Sequence, residues 1–364
     1  MSTRPDALAP PGGTRRKVAV LGATGAVGQA FIRLLEKHPW FELAELAASE
    51  RSAGKPYAEA ARWIGADAMP DRVSEMIVRA CDPAEITSSI VFSALDSTAA
   101  ATAEPAFASA GKTVLTNAKN FRMEPDVPLV IAEVNPEHLD VIAAQRKARG
   151  WGGAIVANGN CSAIVTSMPL APIHQTFGIT KLVVATMQAI SGAGYPGVAS
   201  LDILGNVIPY IGDEEPKIEG EVRKFLGTSD GTSVHSADFP VSAHANRVPV
   251  EHGHTVVMSI GLARGASPEE VSAAIANWRG AEDARGLPSS PERPLEVTQA
   301  ADQPQPRRLV DRGGGMTVTV GRVRRDPIFD VKLVAMGHNV IRGAAGASVL
   351  NAELMARRGL LDGL

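Results

Sequence analysis

The chain has 364 residues, more than most single domains hold, and its 45% hydrophobic and 21% charged content excludes disorder, collagen-like repeats and coiled coils as global descriptions. With 36 basic against 39 acidic residues the formal charge is -3, so no long-range field recommends a nucleic-acid or anionic-membrane partner. Two cysteines, Cys81 and Cys161, cannot build a disulfide framework, which points to a reducing, cytoplasmic setting.

In chain order, residues 1–16 are rich in proline, glycine and charge without the apolar stretch of a secretory signal, and a loose tail is expected there. No uninterrupted apolar run of ~18 residues follows, so no membrane span is predicted. Residues 17–23 (KVAVLGA) form a compact apolar run closed by glycine. Residues 26–37 then place Val27, Ala30, Phe31, Leu34 and Leu35 at helical spacing. Across the junction stand Gly22, Thr24, Gly25, Ala26, Val27 and Gly28. Strand, glycine turn and helix in that order suit a dinucleotide, because the glycines permit the turn, let the backbone approach a pyrophosphate and let the helix pack closely. A ligand-free strand-helix turn is the plain alternative. Residues 41–48, 90–95, 114–116 and 129–132 read as further strands separated by helical stretches. That alternation predicts an α/β domain over residues 17–159, a doubly wound parallel sheet of the Rossmann type.

After the second strand, Ser49, Arg51, Ser52 and Lys55 surround a lone acid, Glu50. An NAD-specific fold commonly sets an acid here for the ribose hydroxyls. Hydroxyls and cations instead favour the 2′-phosphate of NADP, with a solvated charged loop as the alternative. Residues 117–122 (NAKNFR) gather Lys119, Asn120 and Arg122 after another strand, equally an anion site or a solvated loop.

Around residues 154–161 a short strand runs into the turn NGNCS at 158–162, and a helical stretch starts at Ser162. A helix N-terminus stabilises a thiolate and lowers the pKa of a thiol placed there, which suits Cys161 to nucleophilic work. A buried, inert cysteine is the alternative, and the reading adopted for Cys81. Residues 160–340 carry apolar runs at 182–190, 255–262, 316–320 and 331–336 and a helix at 268–278, which predicts an α+β domain with a mainly antiparallel sheet. Residues 287–306 read as a connecting loop. Gln188 ends a strand in a small-residue turn containing Ser191 and Gly192. Glu214 and Lys217 lie three residues apart, where surface charge pairing is the default. Residues 246–254 (NRVPVEHGH) hold Arg247, whose planar fork suits a carboxylate, and two histidines. Either His252 or His254 can serve a reactive cysteine as general base. Residues 341–364 are expected to return to the first domain through a helix at 343–358, with two arginines complementing its C-terminal dipole. No CxxC pair, HExxH sequence or carboxylate array is present, so no metal is expected.

Seven segments occur in an order and spacing that resembles aspartate-semialdehyde dehydrogenase, particularly its archaeal and fungal branch. They are GATGAVGQ (22–29), SERSAGK (49–55), NAKNFRM (117–123), NGNCS (158–162), QAISGAGYPG (188–197), NRVPVEHGH (246–254) and HNVIRGAAGASVLNAEL (338–354). The resemblance covers nearly the whole chain after the tail. It implies NADP-dependent interconversion of L-aspartyl 4-phosphate and L-aspartate 4-semialdehyde through a cysteine thioester, a step in lysine, methionine and threonine biosynthesis. It further implies Cys161 as nucleophile, His254 as acid-base and Gln188 as the group orienting the acyl intermediate. Arg247 is implied at the substrate α-carboxylate, Lys119, Asn120 and Arg122 at the phosphate, and Glu214 with Lys217 near the amino and phosphate ends. Ser191, Gly192 and Asn339 join the glycine turn and the loop after the second strand as NADP(H) contacts, and a homodimer or homotetramer through the second domain is implied. Gly159 stands where the family commonly has proline, Ala163 where it has threonine, and Pro216 where an acidic residue is frequent. Rival readings are a malonyl-CoA or succinyl-CoA reductase on the same scaffold and a noncatalytic NADP-binding protein. The joint presence of Cys161, Gln188, Arg247 and His254 argues against the second.

Overall fold

The computed structural model describes residues 9–65 and 67–362, so the first eight residues of the expected tail lie outside the described residues. The chain alternates β1 (Arg16–Leu21), α1 (Ala26–Leu35), β2 (Phe41–Ala48), the one-turn helices α2 (Tyr57–Ala60) and α3 (Asp71–Ser74), β3 (Val78–Ala80), β4 (Ile90–Ser93), α4 (Ser97–Ser109), β5 (Thr113–Thr116), α5 (Ile142–Arg149) and β6 (Ala154–Ala157). Six parallel strands form one sheet in the order β3-β2-β1-β4-β5-β6, the Rossmann arrangement whose ligand crevice opens at the strand C-termini beside β1 and β4. The two-residue period of each strand splits its side chains between two cores. Val18, Val20, Phe92, Leu115 and Val156 pack on one side, while Ala19, Leu21, Val91, Val114 and Ile155 join a core that runs on into the second half of the chain.

That second half holds α6 (Cys161–Phe177), β7 (Ile179–Gln188), α7 (Ser200–Ile203), α8 (Glu214–Phe225), the small ladder β8 (Thr228–Ser229) with β9 (Val234–His235), β10 (Val241–Arg247) and β11 (His254–Leu262). It continues through α9 (Pro268–Asn277), β12 (Leu295–Thr298), α10 (Pro306–Leu309), β13 (Val318–Arg325), β14 (Val331–Gly337) and α11 (Gly346–Arg357). Its six-stranded sheet runs β10-β7-β11-β14-β13-β12, antiparallel in the middle and parallel at both edges. Helix α6 is apolar around its whole circumference and buried along most of its length, as a central helix must be.

Several expectations need correction. Residues 129–132 form no strand: the Asn135 side chain accepts from the Ile131 amide (2.8 Å) and donates to the Leu129 carbonyl (2.9 Å), taking backbone groups a ladder would use. The stretch 287–306 is not all loop, because β12 pairs with β13 more than twenty residues away, a partner that leaves no local signal. The helix at the nucleophile begins at Cys161 itself, with Asn160 as its cap. The C-terminal helix is preceded by a π-turn, Ile341–Ala345, pinned by fully buried Arg342, which forks onto Glu133 (3.0 and 2.5 Å) and donates to the Met316 carbonyl (2.7 Å).

Candidate active site

Three strand ends meet at one edge of the second sheet. β10 and β7 run parallel, with Arg247 opposite Gln188, and antiparallel β11 starts beside them at His254. Gln188, Arg247 and His254 are therefore delivered together by strand register, and all three are buried. Facing them is the N-terminus of α6, where the Asn160 side chain accepts from the amides of Ser162 (2.9 Å) and Ala163 (3.0 Å) and presents Cys161 as the first helical residue. The His254 Nε2 lies 3.1 Å from the Cys161 Sγ. Nδ1 of the same ring accepts from the Ala189 amide (3.1 Å), so the proton of the neutral ring sits on Nε2, toward sulfur. His252, the rival, is half exposed, and its Nδ1 lies 2.9 Å from the Ser191 hydroxyl, away from the thiol.

Burial sets the resting charge of this pair. It pushes the Cys161 thiol up to about 12, aided by the nearby Glu214 carboxylate and opposed by Arg122, Arg247 and the Ser162 amide. Burial also pulls His254 down to about 3, with Arg247 and His338 adding cationic repulsion. The expectation of a lowered thiol pKa is thus corrected: the helix terminus acts, but desolvation outweighs it. Small residues allow the close fit. A Cβ on Gly343 would lie 2.5 Å from the Cys161 Cβ, and one on Gly192 would lie 2.9 Å from Arg247 Nη1 and 3.1 Å from His254 Cε1.

A cleft of about 420 Å³ opens over the thiol, lined in part by Lys119, Arg122, Gln188, Glu214, Lys217 and Arg247. Lys119 pairs with Asp213 (2.7 Å) at the mouth, and Lys217 lies 3.5 Å from Glu214. Glu214 is buried rather than part of a solvated surface pair, because it accepts from the Asn160 side-chain amide (2.8 Å). Arg122 is buried, and its Nε has no protein partner. Asn120 turns instead to the Ser97 carbonyl (2.9 Å) and does not line the cleft. Sequence reasoning missed Glu221, Gly343 and the pair Arg342 and Glu133, none of which carries a local signature of the site. Among the described residues no group of three or more His, Cys, Asp or Glu side chains is placed to hold a metal.

The glycine turn fits a pyrophosphate. Gly22 has φ 70°, and its Cβ would lie 2.5 Å from the Ala94 carbonyl oxygen; a Cβ on Gly28 would lie 2.3 Å from that of Gly22. Thr24, Gly25, Ala26 and Val27 lead into α1, whose N-cap makes no side-chain hydrogen bond and whose first turn holds no acid, so its amides remain open to an anion. Tyr57 braces the turn by donating to the Ala23 carbonyl (2.7 Å). Ser49, Arg51, Ser52 and Lys55 form the turn leaving β2 at the same end of the sheet, with only Ser52 buried; Glu50 is exposed. Ser191 and Asn339 meet directly, Asn339 Nδ2 donating to the Ser191 hydroxyl (2.8 Å) while its Oδ1 accepts from the Gly253 amide (2.9 Å).

Comparison with known proteins gives a consistent result. The semialdehyde dehydrogenase NAD binding domain matches residues 17–142, and the semialdehyde dehydrogenase dimerisation domain matches residues 170–342. The aspartate-semialdehyde dehydrogenase of Archaeoglobus fulgidus is 49% identical over 347 residues, 95% of this chain and 100% of the relative. That of Schizosaccharomyces pombe is 47% identical over 354 residues, 95% and 99% of the two chains. Among solved structures, the Candida albicans aspartate semialdehyde dehydrogenase with NADP is similar at TM-score 0.87 and 42% identity, covering 95% of this chain and 99% of that one. The Vibrio cholerae aspartate semialdehyde dehydrogenase II complexed with ASA reaches TM-score 0.72 at 29% identity, covering 96% and 100%.

Proposed function

The chain belongs to the aspartate-semialdehyde dehydrogenase family, and from that premise we propose that it interconverts L-aspartyl 4-phosphate and L-aspartate 4-semialdehyde with NADP(H) and phosphate. The observation that carries the reading is the 3.1 Å contact of Cys161 with His254 at the floor of a cleft rimmed by Arg122, Arg247, Lys119 and Lys217. A noncatalytic protein has no use for a part-buried thiol held against a buried imidazole and opening on cations. In the reductive direction the Cys161 sulfur attacks the acyl carbon, the S–C bond forms, and the C–O bond to phosphate breaks. The sulfur gives up its proton as the S–C bond forms, because the thiolate is the nucleophile, and that proton leaves with the phosphate as hydrogen phosphate. Bound NADPH would supply hydride to the thioester carbonyl, after which aldehyde is released and Cys161 is left as thiolate, which takes one proton from solvent to restore the resting thiol. His254, assigned as the acid-base, sets Nε2 beside sulfur to pass a proton between Cys161 and solvent, and its Nε2–H then faces the carbonyl oxygen where charge develops. Gln188 is assigned to orient the acyl group, Arg247 to grip the α-carboxylate, and Arg122 and Lys119 to hold phosphate, while Glu214 and Lys217 complete the amino and phosphate ends.

The direct test is purified protein with aspartate semialdehyde, phosphate and NADP, followed by absorbance of the reduced cofactor. Signal requiring all three supports the reading. No signal with all three, or turnover only of malonyl-CoA or succinyl-CoA, would remove it. Arg247→Lys is expected to cut catalytic efficiency by roughly tenfold or more with the fold retained, since an ammonium cannot reproduce a planar bidentate contact to carboxylate. Unchanged efficiency would move the carboxylate site elsewhere.

NADP(H) should be preferred over NAD(H), because Ser49, Arg51, Ser52 and Lys55 offer hydroxyls and cations at the ribose end. Changing Arg51 and Ser52 together to alanine should shrink that preference, since each charge-assisted hydrogen bond to the 2′-phosphate is worth roughly 1.5–3 kcal/mol. A double mutant with its cofactor ratio intact would refute this assignment of the loop. Assembly as a homodimer or homotetramer is supported by the dimerisation-domain match and by exposed Leu201, Leu204, Val207 and Tyr210 in the second domain. The two free cysteines fit a reducing cytoplasm, and among the described residues no helix is long and apolar enough to cross a membrane.

A further inference from the structure

Helix α8 reaches the nucleophile turn through a carboxylate to which neither the motifs nor the proposed chemistry gives a role. Glu221 is buried. One of its oxygens accepts from Arg122 Nη1 (2.9 Å) and the other from the backbone amide of Asn160 (2.5 Å), the residue immediately before Cys161. The Arg122 segment is anchored from other sides as well. Arg122 Nη2 donates to the Asn117 carbonyl (2.7 Å), and Lys224, one turn along α8, donates to the carbonyls of Arg122 (2.7 Å), Glu124 (2.7 Å) and Val127 (2.9 Å). Arg122 and Cys161 line the same cleft. A Cβ on Gly159 would lie 2.3 Å from Phe225 Cζ and 3.1 Å from Glu221 Oε2. Gly159 thus leaves room chiefly for the Phe225 ring, which packs beside Glu221 on α8.

We propose that Glu221 is a positioning residue that couples the anion site at Arg122 to the aim of the Cys161 thiol. One carboxylate bridges the guanidinium that receives phosphate and the amide that sets the nucleophile turn, so neither can shift without the other. The inference rests on the proposed activity, and its test includes a readout that does not.

In Glu221→Gln the amide oxygen can still accept from one partner, but the shared charge is lost. The expected result is a divergent split: turnover falls by roughly tenfold or more while the KM for phosphate stays level or drops, because Arg122 has lost its counter-ion. NADP binding should change little, while the melting temperature should fall because Arg122 is left buried without its counter-ion. Lower KM with unchanged turnover would reduce Glu221 to a counter-ion and overturn the proposal; so would a lowered melting temperature with turnover per folded molecule unchanged. The second readout is hydrogen exchange at the Asn160 amide, compared between the unmodified protein and Arg122→Gln. Arg122 does not touch that amide, yet exchange should quicken by about tenfold or more once Glu221 is released. Equal exchange in the two proteins overturns the coupling, including in a preparation that shows no turnover or if Glu221→Gln fails to fold.

Discussion

Cys161→Ala is expected to abolish turnover while leaving NADP(H) affinity close to that of the unmodified protein. The thiol forms the covalent intermediate in the proposed reaction, and no neighbouring side chain can replace it: the flanking Ser162 is fully buried within α6. In the proposed assignment the cofactor is held mainly elsewhere, by the β1–α1 turn and the loop after β2. Alanine keeps the Cβ that packs on Gly343, so the substitution removes one sulfur without disturbing the fit. Cofactor titration by fluorescence and a phosphate-dependent rate assay check the two halves, and a mutant with wild-type turnover would sink the nucleophile assignment. The same thiol should reveal its neutral resting state in the unmodified protein. With its pKa pushed up to about 12, iodoacetamide labelling should rise about tenfold per pH unit from pH 7 to 9, because each unit multiplies a small thiolate fraction. A plateau below pH 8 would show instead that the helix terminus and cations prevail over burial.

The second large effect is expected at His254, whose replacement by alanine should lower turnover by roughly 10²–10⁴. His254→Ala removes the ring next to sulfur and leaves the Ala189 amide without its acceptor. His252→Ala should cost far less in turnover, because that ring contacts Ser191, which the proposed reading gives to the cofactor; any loss should fall on the KM for NADP(H). Measuring both constants in both mutants separates the roles. The larger fall in turnover at position 252 would exchange them.

Much of the frame was legible without coordinates. The apolar run from Lys17, the glycines at 22, 25 and 28 and the helical spacing after them state a strand, a tight turn and a helix between Lys17 and Leu35, and the structure has all three. Such signals survive because they are local: period two or three and a half reports which face is buried, and a glycine reports a backbone that tolerates nothing larger. The landmark segments supplied the family for the same reason, since each is short and continuous.

What the sequence by itself determined, then, was the alternation of the first domain, the family, and the short list of residues able to do the chemistry. The residues alone left His252 and His254 open and the resemblance favoured His254; only the tertiary structure shows their surroundings, with His254 3.1 Å from the Cys161 sulfur and His252 against Ser191. It alone set the sign of the Cys161 shift, since helix dipole and desolvation oppose each other and their balance depends on the cover supplied by Gly343, Gly192 and His254. It also decided that Asn135 would take the hydrogen bonds of residues 129–132, and that Glu221 would bridge Arg122 and Asn160 across more than sixty residues of chain. A carboxylate on an amphipathic helix looks solvated until the helix is docked. Only the docked fold shows what it holds.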